Sequence, residues 1–278
     1  MPEKINSALK NKPIGIFDSG FGGLTVMSAV NKILPNENLI YFGDTAHVPY
    51  GSKSKDAVVK FSKDIASFLI KKDIKLLVIA CNTASAFALS VLKKSVSIPV
   101  VGVIEPGAKA AVKNAKNGRI GIIGTEGTVA SGSYFKAVKK ISGAAVFQQA
   151  CPLFVPLVEE GWNKGKIAQD IIGVYLKPLL AKNIDALILG CTHYPLLKEL
   201  LSKATGANVE LIDSANAAAL EVKEILLKKD MLSDAKKKAS LKFYVSDNPK
   251  KFQKIGGKFF LKKINGVKKI NLERICEV

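Results

Sequence analysis

Two stretches of the chain place a thiol in matching surroundings: Leu76-Leu-Val-Ile-Ala-Cys-Asn-Thr-Ala-Ser85 and Ala186-Leu-Ile-Leu-Gly-Cys-Thr-His-Tyr-Pro195. In each, a short apolar run ends in a cysteine followed by small hydroxyl or amide residues. A thiolate is a base as well as a nucleophile, and its ordinary pKa of about 8.5 falls near cations and helix starts. One buried cysteine is usually an inert core residue. Two at matched positions point to paired chemistry. One thiol removes a proton from one face of a carbon, another delivers one to the opposite face, and a stereocentre inverts without a cofactor. A Cys–His hydrolase needs only one thiol; His193, if the strand continues past Cys191, points the same way, so spacing leaves that reading open. Asp18, or a carboxylate of Glu159-Glu160, could assist a thiol; the plainer readings are an N-cap for Asp18 and a solvated helix start for the glutamates.

Runs rich in Val, Ile and Leu suit parallel strands buried on both faces, and in open α/β sheets ligands bind beyond the carboxyl ends of the strands. A second pair of strand–turn units, Ile14-Gly-Ile-Phe-Asp-Ser-Gly20 and Ile120-Gly-Ile-Ile-Gly-Thr-Glu126, is offset by 106 residues; the cysteines are offset by 110. These offsets predict an α/β protein of two similar, pseudo-symmetric domains, each a mainly parallel sheet flanked by helices, with the active site in the cleft between them. The expected division is residues 1–104 plus 215–278 for the first domain and 105–214 for the second. Glu105-Pro106-Gly107 is expected to interrupt the strand that precedes the crossing, and Thr125–Ser131 to form a hydroxyl-rich turn. Cys151–Gly161 reads as an apolar loop closing on Glu159 and Glu160, and Pro178 as an interruption in the helix that follows. The strand Leu241–Ser246 and a closing helix are too small to fold alone and are expected to return to the first domain. Asp18-Ser-Gly-Phe-Gly-Gly23 is a Gly-rich turn but not a dinucleotide fingerprint, because the third glycine fails at Thr25. Asp44–Ser52, with Pro, Gly and hydroxyl residues, has the composition of a shaped binding loop.

At 278 residues, 48% hydrophobic and 23% charged, the chain is an ordinary globular one with room for two cores. No apolar run approaches the roughly 18 residues of a membrane helix, and Met1–Lys12 lacks the features of a secretory signal, so a cytoplasmic location is expected. Cys81, Cys151, Cys191 and Cys276 form no CxxC pair and no disulfide framework, and with two histidines no metal site is expected. The net charge of +19 comes from spread lysines with small clusters such as Lys236-Lys-Lys238. Interleaved aromatics for base stacking are missing, so the charge reads as a solvated surface that favours an acidic small substrate over nucleic acid.

Five motifs in order, Asp18-Ser-Gly-x-Gly-Gly, Pro49-Tyr-Gly-Ser52, Ala80-Cys-Asn-Thr-Ala-Ser85, Val100-Val-Gly-Val-Ile-Glu-Pro106 and Leu189-Gly-Cys-Thr-His-Tyr-Pro195, closely resemble the bacterial glutamate racemases of the aspartate/glutamate racemase family. The resemblance runs from about Ile14 to Pro249. It implies cofactor-independent interconversion of L- and D-glutamate, supplying D-glutamate for peptidoglycan and so for cell shape; racemisation of another small acid such as aspartate is the alternative. Carried over by position, Cys81 deprotonates D-glutamate and Cys191 L-glutamate, with Asp18 assisting Cys81 and His193 and Glu159 assisting Cys191. Implied substrate contacts are Asp18, Ser19, Pro49, Tyr50, Gly51, Ser52, Asn82, Thr83, Thr125, Thr128, Thr192 and His193. Expected partners are glutamate and a second copy in a homodimer, with no membrane and no nucleic acid; no cofactor is expected.

Overall fold

The computed structural model describes residues 8–235 and 239–272. Cys276, Lys236–Lys238 and the first seven residues of the polar start lie outside the described residues. The chain builds two parallel sheets. Strands β1 (Ile14–Asp18), β2 (Leu39–Gly43), β3 (Leu76–Ile79) and β4 (Val100–Gly102) alternate with helices α1 (Leu24–Ile33), α2 (Lys55–Ile70) and α3 (Asn82–Ser95). All four are fully buried, as apolar strands covered by helices on both faces must be. Helix α4 (Ile104–Asn114) then leads to β5 (Arg119–Gly124), α5 (Glu126–Ala130), α6 (Ser133–Ile141) and β6 (Ala145–Ala150). Helices α7 (Phe154–Glu159) and α8 (Gly165–Leu180) precede β7 (Ala186–Gly190), followed by α9 (Lys198–Thr205), β8 (Glu210–Asp213) and α10 (Ser214–Lys228).

The repeat read from the sequence is visible as topology. The first sheet contains the order β2-β1-β3-β4, the second is β6-β5-β7-β8, and every pairing is parallel. In both, successive strands are added first to one side and then to the other, so the order reverses between the first and third strands. That reversal opens the crevice where open α/β sheets bind ligands. The return segment extends the first sheet: β9 (Leu241–Val245) pairs with β2, and β10 (Lys268–Lys269) with β9, with α11 (Pro249–Phe260) between them. The closing strand and helix were expected; the two-residue β10 was too short to show a pattern.

The halves share apolar packing. Helix α10 lies against both α1 and α4, and one buried cluster runs from Ile16 and Val78 in the first sheet to Leu187 and Leu189 in the second.

Four local expectations fail, three of them at a helix start. Glu105-Pro106-Gly107 does not interrupt a strand; it is the first turn of α4. Pro156 stands in the first turn of α7, where a loop was expected. A proline there loses nothing, because the first amides of a helix have no intrahelical partner. Pro178 sits in α8 without ending it. Thr125–Ser131 is a short helix capped by Thr125, whose side chain accepts from the Thr128 amide.

Candidate active site

Both cysteines leave their strands at the point of reversal. Cys81 follows β3, beside the end of β1 that carries Asp18; Cys191 follows β7, beside the end of β5 that leads to Thr125. Residues from both halves, Cys81 and Cys191 among them, line one inner cavity. Of the other expected contacts, Ser19, Pro49, Tyr50, Gly51, Asn82, Thr83, Thr125, Thr192 and His193 line it, with Val48 and Val155 joining them, whereas Asp18 is not in the lining. An outer cleft shares Pro49, Gly51, Thr125 and Val155 with that cavity, and Ser52, Glu159 and Glu160 face this outer part. Thr128 stands behind the wall.

Cys81 is the N-cap of α3, and its Sγ accepts from the Ala84 amide at 3.4 Å. Burial pushes its thiol up to about 12, aided by the nearby Asp18 carboxylate and opposed by the Ala84 amide and Ser19. Asp18 is fully buried; its Oδ2 accepts from the Gly20 amide at 2.9 Å, while Oδ1 has no hydrogen-bond partner among the described residues. It does not cap α1, whose N-cap is Gly23. Burial raises the Asp18 carboxyl, and His193 opposes that rise.

On the other wall, the Cys191 Sγ lies 3.9 Å from His193 Nδ1, and His193 Nε2 lies 3.0 Å from Glu159 Oε1. The contact does not arise from strand alternation. Strand β7 ends at Gly190, and a turn with helical backbone at His193 folds the imidazole back beside the thiol. Tyr194 anchors that turn: it is fully buried and its hydroxyl donates to the Cys151 carbonyl at 3.0 Å. Of the two glutamates, Glu159 meets His193; Glu160 follows the end of α7, not a helix start. Burial raises the Cys191 thiol well above its ordinary value, with the Cys81, Asp18 and Glu159 charges acting the same way.

Hydroxyls join the two walls. Thr83 Oγ1 lies 2.8 Å from Thr125 Oγ1 and 3.1 Å from Thr128 Oγ1, and Thr125 and Thr128 are 3.0 Å apart. The Tyr134 hydroxyl donates to Asn82 Oδ1 at 2.7 Å, and the buried Asn82 Nδ2 has no partner among the described residues. Gly22 is required by the close approach of the walls: a Cβ there would stand 2.2 Å from Thr192 Oγ1 and 2.6 Å from His193 Nδ1.

Sequence reasoning missed several contributors. Phe259 of α11 packs edge-on against His193, with centroids 5.0 Å apart, although it lies 66 residues further along the chain, as the numbers show. Asp44, taken only as part of a binding loop, is a fully buried acceptor that holds the Tyr50 hydroxyl at 2.6 Å. The Tyr50 hydroxyl proton is therefore already engaged. Among the described residues, no group of three or more His, Cys, Asp or Glu is arranged to hold a metal ion, and no helix is long and apolar enough to cross a membrane.

This geometry has close counterparts. The chain is 51% identical over 263 residues to a glutamate racemase of Geobacter metallireducens, covering 94% of this chain and 97% of that one. It is 46% identical over 265 residues to one of Neisseria meningitidis serogroup A, covering 95% and 98%. A crystal structure of glutamate racemase from Francisella tularensis, in complex with D-glutamate, superposes with a TM-score of 0.90 at 39% identity over 95% of this chain and 99% of that one. The profile of the Asp/Glu/Hydantoin racemase family matches residues 14–222, and the chain belongs to that family.

Proposed function

We propose that the chain interconverts L- and D-glutamate by two-base proton transfer between Cys81 and Cys191. The observation that carries this reading is that two thiols, one at the point of strand reversal in each of two like-ordered sheets, line the same cavity. The glutamate racemases of 39–51% identity support glutamate as the substrate.

In this reading Cys81 as thiolate takes the α-proton of D-glutamate while the Cys191 thiol protonates the opposite face; L-glutamate runs the same path backward. After either turnover the protonation states of the two thiols have exchanged. Asp18 assists Cys81, and His193, oriented by Glu159, assists Cys191. Ser19, Asn82, Thr83 and Thr192, with the backbone of Pro49–Ser52 and the hydroxyls of Thr125 and Thr128 behind, hold the carboxylates and ammonium. The α-proton is a weak acid, so these oriented donors and the exclusion of water stabilise the carbanion, and no cofactor takes part. Residues 1–104 plus 215–278 and 105–214 act as two domains that part to admit substrate.

A reduced cytoplasm keeps such thiols active, and the product serves peptidoglycan synthesis and cell shape. The enzyme works as a homodimer, which sedimentation tests. The test of activity is circular dichroism of chelator-treated protein with each glutamate enantiomer, and with aspartate as the rival substrate. Signal decaying to zero from both glutamate enantiomers supports the reading; decay with aspartate alone, or none, contradicts it.

A further inference from the structure

The proton-transfer account leaves one buried carboxyl unused. Asp44 follows the last residue of β2, has no exposed surface and does not line the cavity. Its Oδ2 accepts from the Tyr50 hydroxyl at 2.6 Å, its Oδ1 from the Ser246 hydroxyl at 2.7 Å, and His47 Nδ1 stands 2.9 Å from both oxygens. Its backbone amide donates to the Asp18 carbonyl at 3.0 Å. The groups it gathers belong to three separate pieces of chain: the end of β1, the loop through Pro49–Ser52, and the residue after β9.

The far partners are tied in as well. Ser246 Oγ accepts from the Ala46 amide at 2.8 Å, and the Asp247 amide donates to Thr45 Oγ1 at 2.9 Å. His47 stacks on Phe61 of α2 with centroids 4.0 Å apart. The loop so held meets the opposite wall closely: a Cβ at Gly51 would stand 2.6 Å from Thr125 Cβ, and one at Gly127 would stand 3.1 Å from the Gly51 carbonyl oxygen. Pro49 and Gly51 line both the inner cavity and the outer cleft, so this loop forms part of the passage between them. A buried acceptor with several donors costs most when its partners are removed one at a time, because each loss leaves a polar group unpaired.

We propose that Asp44 is a positioning residue: with Ser246 it fixes the Pro49–Ser52 backbone in the shape that receives the substrate, so that binding depends on the strand returning from the far end of the chain. This rests on the glutamate reading of the site. The position of β9 then has a functional reason beyond extending the sheet, since it brings Ser246 to Asp44.

The experiment compares KM, kcat and the pH profile of kcat for wild type, Asp44→Asn, Ser246→Ala, Ser246→Thr and Tyr50→Phe, with L-glutamate and a melting curve for each. A KM raised about tenfold in Asp44→Asn and about threefold in Ser246→Ala and Tyr50→Phe is expected from lost buried hydrogen bonds. With it should come a kcat within about threefold of wild type, an unmoved pH profile and recovery in Ser246→Thr. A fall in kcat at constant KM with a shifted profile would overturn the proposal by placing Asp44 in proton transfer. Wild-type KM and kcat in Ser246→Ala and Tyr50→Phe would overturn it by making the network purely structural; these two variants decide the matter if Asp44→Asn does not fold. Wild type that fails to turn over glutamate contradicts the underlying reading, whereas active wild type with unchanged variants contradicts only this proposal.

Discussion

The Cys81 and Cys191 walls occupy equivalent positions in two sheets of the same strand order, yet they surround their thiols differently. Cys81 caps the 14-residue helix α3 and takes the Ala84 amide on its sulfur. Cys191 precedes a four-residue 3₁₀ turn and has His193 beside it instead. On the first wall a helix N-terminus, with its partial positive charge, can favour the thiolate. On the second an imidazole paired with Glu159 stands beside the sulfur, and it is the group proposed to assist there. The repeated topology thus places the sulfurs, and the local chain sets which groups stand beside each. The shared strand order accounts for the position of the pair, and the chain after each sulfur for the difference in its neighbours.

The comparison breaks most sharply at the sulfurs. Cys81→Ala and Cys191→Ala should each lower racemisation by about a thousandfold or more, since each removes a general base or acid worth roughly 10²–10⁴. Continuous polarimetry measures this, and near-normal turnover in either variant removes that thiol from the mechanism. Next in size, His193→Asn should lower kcat about a hundredfold by taking the partner from Cys191. Glu159→Gln should cost about tenfold, because it weakens one hydrogen bond to that partner. A loss in Glu159→Gln as large as in His193→Asn would show that the carboxylate does more than orient the ring.

The walls should respond alike to pH. Burial raises both thiols, so at neutral pH the thiol is favoured and the thiolate required of one cysteine is scarce. The sign follows: kcat/KM should climb as pH rises from about 7 to 9, nearly tenfold per unit for a single deprotonation below its pKa. A flat profile would mean that the thiolate is already formed in the free enzyme. Gly22→Ala, which forces a methyl against Thr192 and His193, should destabilise by about 1–3 kcal/mol in denaturant titration and disturb the Cys191 wall before the Cys81 wall. The smallest effect is expected of Thr83→Val, about 1 kcal/mol of stability from the hydroxyl group that links the walls.

What could be read beforehand follows the range of each interaction. Apolar runs ending in Cys81 and Cys191 specify buried strands from a few neighbouring residues, and the spacing of two such pairs was enough to expose the repeat. Ser19, Asn82, Thr83 and Thr192 were named as contacts through the family resemblance, and the structure sets them in the cavity lining. The pairing of Glu159 rather than Glu160 with His193 required the helical phase of α7, which Pro156 disguised as a loop. Phe259 against His193, and Ser246 against Asp44, depend on where the returning segment docks, and no local pattern specifies that. Prolines at Pro106 and Pro156 misled for a related reason: a first-turn proline and a helix-breaking one look the same until the helix start is known.

The claim that each thiol serves one face of the α-carbon is tested most directly by α-proton exchange in D₂O. ¹H NMR would follow each glutamate enantiomer with Cys81→Ala and with Cys191→Ala. The two-wall account predicts that racemisation is lost in both variants while exchange persists on one enantiomer each: L-glutamate where Cys191 remains, D-glutamate where Cys81 remains. Exchange of the same enantiomer in both variants, or of both enantiomers in either, would contradict it.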